Sequence, residues 1–150
     1  MNYSSKTAKL FLNLYPPYVG AGVRIDYICA DWTEMEVSMK LRWFNKNAVG
    51  THFGGNLYSM IDPHYMLLLM KLLGNDYHIW DQSASIRFVK ATRKRVKAHI
   101  HVSPERLLEI QHHTANGEKY LAEFRLDILD DNNEQIAEVE KVIYIKKKSN

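Results

Sequence analysis

Apolar and polar residues alternate strictly through the stretch "EMEVSMKLRW" at residues 34–43. The apolar side of this stretch consists of Met35, Val37, Met39, Leu41 and Trp43. A period of two predicts a β-strand that buries one of its faces. Similar patterns predict further strands over residues 23–29, 83–89, 96–102, 120–129 and 135–145. Because the strands are apolar on one side only, they favour an antiparallel sheet with one covered face.

The connection between the last two predicted strands is a turn, and the last strand is irregular. The residues "DDNN" at 130–133 are typical of a tight turn. Further along, the alternation slips near Glu140 and Lys141. A slip of this kind predicts a β-bulge in the last strand.

Residues 54–74 are the only long helical candidate, and they are apolar nearly all round. A helix of this composition is expected to lie buried at the centre of the domain. A shorter helix is predicted over residues 5–15, where Pro16 and Pro17 end it.

A third helix is predicted to begin with Ser103 as its N-cap and Pro104 in its first turn. Its inward side is expected to carry Leu107, Leu108 and Ile110. The resulting order of helices and strands predicts an α+β protein, in which a curled antiparallel sheet wraps around one long central helix.

Composition narrows the class of protein. A chain of 150 residues predicts one domain, residues 1–150, with 1–20 as a helical cap and 146–150 as a basic tail. The net charge of +3 is mild, and no nucleic-acid motif is present. A single cysteine excludes an internal disulfide and fits a reducing compartment.

The two most apolar segments do not predict membrane association. The run "YMLLLMKLLG" at 65–74 is too short to span a bilayer, and Lys71 interrupts it. The segment "AKLFLNLYPPYVG" near the N-terminus resembles a capping helix more than a signal peptide. We therefore expect a cytoplasmic protein.

Asp62 and Pro63 lie inside the predicted central helix and allow two interpretations. An aspartate followed by proline is typical of an N-cap and a first helical position, so Asp62 would simply cap a second piece of helix. Alternatively, Pro63 kinks the helix and turns the carboxylate of Asp62 toward a cavity, where it could act in catalysis.

Other candidate sites are weaker. The segment "RFVKATRKRVK" at 87–97 holds six basic residues and no acid, so it is either a solvated strand end or a phosphate-binding patch formed by Arg93, Lys94 and Arg95. His52 and His64 lack the His-x-x-x-His spacing that places two ligands on one helix face. We predict no metal site.

The segment from Asn47 to Gly55 reads "N-x-x-G-T-x-x-G-G", with an aspartate seven residues after the second glycine. Together with the element order, this pattern resembles the hotdog-fold acyl-CoA thioesterases, closest to the phenylacetyl-CoA type and an uncharacterised branch near it. The resemblance spans residues 20–146. It departs from the family at Phe53, where histidine is usual and His52 stands one residue earlier, at Pro63, and in the extra helix at 104–114.

The resemblance implies a site formed by Asn47, Gly54, Gly55 and Asp62. A glycine amide at the start of the helix would bind the oxyanion, and Asp62 of another subunit would act as general base or nucleophile. Asn47 would orient water or the thioester carbonyl. The implied assembly is therefore a homodimer or homotetramer with shared sites.

The implied substrate is an acyl-CoA thioester, and no cofactor is expected because coenzyme A is part of the substrate. The expected substrate contacts are His52, Phe53, Tyr58, Arg93, Lys94 and Arg95. The main alternative is a non-catalytic acyl-CoA or fatty-acyl binding protein on the same fold. A hotdog dehydratase and a purely structural assembly are further alternatives.

Overall fold

A computed structural model describes residues 3–149. Its five helices are α1 (Ser5–Leu14), α2 (Pro16–Ala21), α3 (Gly54–Ser59), α4 (His64–Leu73) and α5 (Pro104–His113). Its six strands are β1 (Val23–Ile28), β2 (Glu34–Met39), β3 (Tyr77–Phe88), β4 (Val96–His101), β5 (Lys119–Asp130) and β6 (Gln135–Lys147). Every predicted strand is present, so the α+β prediction is confirmed.

The strands form a single antiparallel sheet in the order β1-β2-β4-β5-β6-β3. One face of the sheet is buried under the helices. Tyr65 of α4, for example, stacks on Phe124 of β5 with ring centroids 4.3 Å apart. The apolar residues that alternate along β1, β2, β4, β5 and β6 supply most of the core. The period-two pattern is therefore explained by one covered face.

The central helix is interrupted, which differs from one continuous helix over residues 54–74. α3 ends at Ser59 and α4 begins at His64, and the peptide bond between Asp62 and Pro63 is cis. Proline has no N–H to donate and its ring crowds the preceding turn, so the helix cannot continue through this position. The break places Asp62 at a junction between two helices.

Two of the predicted inward side chains face solvent. Trp43 is 82% exposed, because β2 ends at Met39 and the chain then turns away from the sheet. The turn is held by the buried Asn45, whose Oδ1 accepts the Arg42 amide at 2.7 Å. Leu108 is 65% exposed, whereas Ile110 of the same helix is buried. The predicted cap of α5 is confirmed, since Ser103 Oγ accepts the Arg106 amide at 3.1 Å.

The bulge predicted near Glu140 and Lys141 is wrong in its position. Along this part of β6 the residues Val139, Lys141 and Ile143 are all buried, so the alternation of inward and outward side chains continues without a slip. One irregularity in pairing lies on the neighbouring strand β3, between Asp81 and Ser83, and the irregularity of β6 itself lies earlier, at Ile136. A lysine occupies a core position, and its polar side chain breaks the sequence pattern without breaking the strand.

The two ends of the sheet differ from the predicted elements. β3 is an outermost strand that begins at Tyr77, six residues before the predicted start, and its side chains are mostly partly or fully exposed. Tyr77 and Ile79 in its first half are only partly buried against the core, and the polar Asp81 follows them on the same face, so the apolar alternation there is short. β6 continues to Lys147, so part of the predicted basic tail belongs to the sheet. Of that tail, Asn150 lies outside the described residues.

Leu68 on α4 is buried in the core and Leu108 on α5 is exposed, so their replacement should affect stability differently. We expect Leu68→Ala to lower the free energy of unfolding by about 2–5 kcal/mol, because Leu68 is fully buried and its loss leaves a cavity. Leu108→Ala should change it by less than about 0.5 kcal/mol, since that side chain is exposed. Urea denaturation of both variants measures the difference. Equal losses would contradict the placement of α5.

Candidate active site

Asp62 does not cap a helix. The N-cap of α4 is Pro63, and no side chain bonds to the first amides of that helix. The main-chain carbonyl of Asp62 accepts a hydrogen bond from the Tyr18 hydroxyl on α2. The carboxylate is therefore available for other partners, and the capping interpretation is wrong.

The carboxylate of Asp62 binds a buried lysine on β6. Lys141 Nζ lies 2.6 Å from Asp62 Oδ1 and 2.9 Å from Asp81 Oδ1 on β3. The contact with Asp62 is a hydrogen bond. The contact with Asp81 is an ion pair whose angles do not fit a hydrogen bond. The side chain of Lys141 has no exposed surface, while those of Asp62 and Asp81 are 39% and 23% exposed. We call Asp62, Asp81 and Lys141 the triad.

The charges of the triad influence each other's protonation. Burial by itself would lower the pKa of Lys141, but the close contacts with the negatively charged Asp62 and Asp81 outweigh it and raise that pKa. The pKa of Asp81 is also raised, mainly by burial, with repulsion from Asp62 adding to the effect and Lys141 opposing it. The lysine therefore stays charged.

Aromatic side chains surround the triad. The Tyr58 hydroxyl donates to Asp62 Oδ1 at 3.2 Å, and Lys141 Nζ lies 3.4 Å from the same hydroxyl. Lys141 Nζ also lies 5.3 Å from the centre of the Tyr58 ring. Burial raises the pKa of Tyr58, so its hydroxyl stays protonated and able to donate. Of the predicted substrate contacts, Tyr58 is the one that lies beside Asp62.

Asp62 borders a cleft of about 360 Å³ between the N-terminal helices and the helix junction. Its other walls include Leu12, Tyr15, Tyr18 and Tyr58. The N-terminal segment thus contributes directly to the site instead of merely covering the core. A cleft with apolar walls and one carboxylate is suited to an apolar group attached to a polar, reactive one.

The glycine pair borders a different cleft. Gly54 begins α3 and lines a space of about 340 Å³ together with Asn47, His52 and Phe88. Within residues 3–149, no acceptor binds the amides of Gly54 and Gly55. A Cβ at Gly54 would lie 2.8 Å from the Phe88 ring, so any side chain there requires the exposed Phe88 ring to move. In one chain, therefore, Asp62 and the glycine amides do not share a cleft.

Asn47 and His52 are engaged in local structure beside this cleft. Asn47 Oδ1 accepts the amides of Val49 and Thr51 at 3.1 and 3.0 Å, and its Nδ2 donates to Thr51 Oγ1 at 2.9 Å. His52 Nε2 lies 2.8 Å from the Lys94 carbonyl, and burial lowers the pKa of its ring. Phe53 is exposed, and its ring lies where a Cβ on Gly55 would be.

The three basic residues of the predicted phosphate patch point in different directions. Arg93 Nε donates to the Gly50 carbonyl at 3.2 Å, next to the glycine cleft. Lys94 Nζ lies 3.6 Å from Asp130 Oδ2. Arg95 instead binds Asp26 at 2.9 Å and borders a separate pocket of about 240 Å³. They do not form one patch.

Residues 3–149 contain neither a cluster of metal-binding side chains nor a membrane-spanning helix. In that range, no group of three or more His, Cys, Asp or Glu side chains is arranged to hold a metal ion. No helix there is long and apolar enough to cross a membrane.

The curled antiparallel sheet around a helical layer is the hotdog fold, and solved structures share it along nearly the whole chain. A protein of unknown function and probable thioesterase from Pseudomonas aeruginosa superposes with a TM-score of 0.82 at 15% identity, over 98% of both chains. A putative thioesterase from Shewanella oneidensis gives 0.70 at 17% identity, over 97% of both chains. Mouse thioesterase superfamily member 2 gives 0.66 at 14% identity, over 99% of this chain and 100% of its own.

Sequence comparison identifies the family. Residues 5–145 match the model described as a domain of unknown function (DUF4442), and the chain belongs to that family. No curated protein matches the chain in sequence. The matched range includes both clefts and all three residues of the triad.

Sequence reasoning identified Asp62 and Tyr58 but missed Asp81, Lys141 and Tyr18. The only signal for Lys141 was the break in alternation along β6, which a buried charge produces as readily as a bulge. Asp81 lies on the exposed edge strand, outside the predicted span of 83–89, so no pattern marked it.

His64, at the start of α4, is expected to make stability depend on pH. Complete burial lowers the pKa of its ring to about 4, from 6.5 for an exposed histidine. Between these pH values the unfolded chain binds a proton that the folded chain does not, so stability falls as pH falls from 6.5 to 4. The expected loss is about 3 kcal/mol.

Urea denaturation at pH 7, 5.5 and 4.5 measures this loss. In His64→Gln the decrease between pH 7 and 4.5 should be smaller than in wild type, because the titrating ring is gone. The exposed His101 provides a control, and His101→Gln should keep the wild-type decrease. Identical pH dependence in wild type and His64→Gln would contradict the assignment.

Proposed function

We propose that this protein is an acyl-CoA thioesterase, in which Asp62 acts as general base on water or as nucleophile. The observation that carries the proposal is the position of Asp62: its carboxylate borders an apolar cleft and is held by side chains, with no helix amide to cap. A carboxylate in such a place can take a proton from water or attack a carbonyl. The thioesterase names of three hotdog relatives support the same reaction.

The glycine amides supply the second requirement of thioester hydrolysis. The tetrahedral intermediate carries an oxyanion, which needs hydrogen-bond donors. The amides of Gly54 and Gly55 lack acceptors within the described residues and lie at the positive end of α3. Removing one such donor in other enzymes costs about 3–4 kcal/mol of transition-state stabilisation.

Two copies of the chain are needed to bring these groups together, because Asp62 and Gly54 border separate clefts. We therefore propose a homodimer, alone or within a homotetramer, in which Asp62 of one protomer faces the glycine pair of the other. The outermost strand β3 supports this assembly: it pairs only with β6, and an unpaired edge readily pairs with another strand.

The proposed substrate contacts divide between the two clefts. The acyl group would enter the cleft beside Tyr58 and Tyr18, whose walls are apolar. The loop that borders the glycine cleft continues into Arg93 and Lys94, so these two residues are suited to the phosphates of coenzyme A. His52 and Phe53 would contact the pantetheine arm near Gly54. Arg95 faces another pocket, and any role in binding phosphate would be separate.

The first test is thiol release from short-, medium- and long-chain and aryl acyl-CoAs. Asp62→Asn should lower kcat at least about 100-fold, because it removes the proton acceptor and keeps the size of the side chain. Asp131→Asn, in the exposed turn after β5, is the control and should keep wild-type turnover. Equal turnover in wild type and Asp62→Asn would contradict the catalytic role of Asp62.

A non-catalytic acyl-CoA or fatty-acyl binding protein is the second candidate. It is favoured by the ion pair with Lys141, because the ammonium already occupies one oxygen of the Asp62 carboxylate. Binding of a non-hydrolysable acyl-CoA analogue, measured by calorimetry, together with no turnover of any substrate would establish this candidate.

A second test asks whether the site is shared between protomers. Asp62→Asn and Gly54→Val should each be inactive, the latter because a side chain at Gly54 collides with Phe88. When the two are co-expressed with different tags, hybrid dimers contain one intact site, so the mixture should recover roughly a quarter of wild-type activity. Sites contained within single protomers would give no recovery.

A further inference from the structure

We propose that Lys141 and Asp81 are positioning residues for Asp62: the buried ammonium binds the Asp62 carboxylate and orients it at the edge of the cleft, and Asp81 holds the ammonium in place. The proposal rests on the thioesterase function of the same site. It adds two residues for which neither the sequence pattern nor the fold indicates a role.

The position of Lys141 is the first argument. Its neighbours on the inward face of β6, Val139 and Ile143, are apolar and buried, and the lysine side chain has no exposed surface. A buried ammonium loses its hydration and persists only where opposite charges bind it. An aliphatic residue would suit the core better, so the lysine is explained by the carboxylates that it binds.

The geometry of the triad is the second argument. Its members come from three different elements: the junction between α3 and α4, strand β3 and strand β6. Lys141 contacts one oxygen of each carboxylate, at 2.6 and 2.9 Å, and the Tyr58 hydroxyl is a second donor to the same oxygen of Asp62. Among residues 3–149, no N–H group and no tyrosine, serine or threonine hydroxyl donates to the second oxygen, Oδ2.

The balance of charge is the third argument. One ammonium cannot neutralise two carboxylates, so the triad tends to retain one proton on a carboxyl group. Asp81 is the less exposed of the two, and burial raises its pKa. Lys141 opposes protonation of Asp81, and the negative charge of Asp62 favours it.

Other titratable groups around the triad do not replace Lys141 as its cation. Tyr18 on α2 and Tyr58 on α3 have raised pKa values and stay neutral. His64 on α4 has a lowered pKa, because it is completely buried, and binds the Met60 carbonyl. Lys141 is thus the only cation of residues 3–149 that lies within 4 Å of Asp62.

Two substitutions should move the acid limb of the pH–kcat/KM profile in opposite directions. Lys141→Met removes the cation, so ionisation of the carboxyl pair requires a higher pH, and the limb should move up by at least about one unit. Asp81→Asn removes a competing negative charge, so the limb should move down. Lys119→Met, an exposed lysine on β5, should leave the profile unchanged.

A purely structural role would reduce the amount of active protein and leave the pH profile where it is. Shifts in the same direction, or no shift in either variant, would overturn the proposal. If Lys141→Met does not fold, the double variant Lys141→Met/Asp81→Asn takes its place in the test. This variant retains Asp62 as the single carboxyl group of the triad. Its limb should then lie at least about one unit above that of Asp81→Asn alone.

A readout that needs no turnover separates this proposal from the proposed function. The aspartate carboxyl carbons are labelled with ¹³C, and the resonances absent from Asp62→Asn and Asp81→Asn assign the pair. Both titration midpoints should move up in Lys141→Met, and the one remaining midpoint of the pair should move down in Asp81→Asn. If wild type hydrolyses no acyl-CoA but the midpoints move as stated, the thioesterase proposal fails and the positioning role stands; unmoved midpoints overturn the positioning role.

Discussion

A buried lysine between two carboxylates is the interaction on which the arrangement of the site depends. Lys141 connects strand β6 to strand β3 through Asp81 and to the helix junction through Asp62. Losing one member of a buried ion pair costs about 3–5 kcal/mol in other proteins, and the partial exposure of Asp62 reduces that figure here. The contact fixes the junction on the sheet at the point where the two helices meet.

The helix junction is reinforced from the opposite side by the N-terminal segment. Tyr18 on α2 donates its hydroxyl to the Asp62 carbonyl, and its ring lies 5.7 Å from that of His64. The main chain of Asp62 is thus held by α2 while its carboxylate is held by the sheet. Since α1 and α2 also form one wall of the cleft, they contribute to the site as much as to the core.

The separation of the two clefts is the reason why the proposed site requires two copies of the chain. Within residues 3–149, the glycine pair has free amides and borders a cleft whose lining contains no carboxylate, whereas Asp62 supplies a carboxylate to the other cleft. Each half has the environment that its role needs: the close fit of Gly54 against Phe88 in one, and the charged triad in the other. Assembly of two copies would join the halves without changing either.

Much of the fold could be predicted because the covered face of the sheet imposes a period of two on the sequence. The strands that pack against the helices, the cap at Ser103 and the turn after β5 follow from such local rules. The start of β3 could not be predicted, because an exposed edge strand needs no alternation. Trp43 and Leu108 were placed inward because hydrophobicity alone does not show where a strand ends or which side of a short helix is covered.

By itself, the sequence determined the α+β class, the glycine pair and an aspartate at a break in the central helix. Only the tertiary structure decided which side chains that aspartate contacts. The partners of Asp62 lie 19 and 79 positions further along the chain, at Asp81 and Lys141. Local patterns describe neighbours within a few residues, whereas an ion pair of this kind forms only when the sheet has curled and brought β3 and β6 under the helix junction. A buried charge therefore looked like a defect in a strand until its partners could be seen.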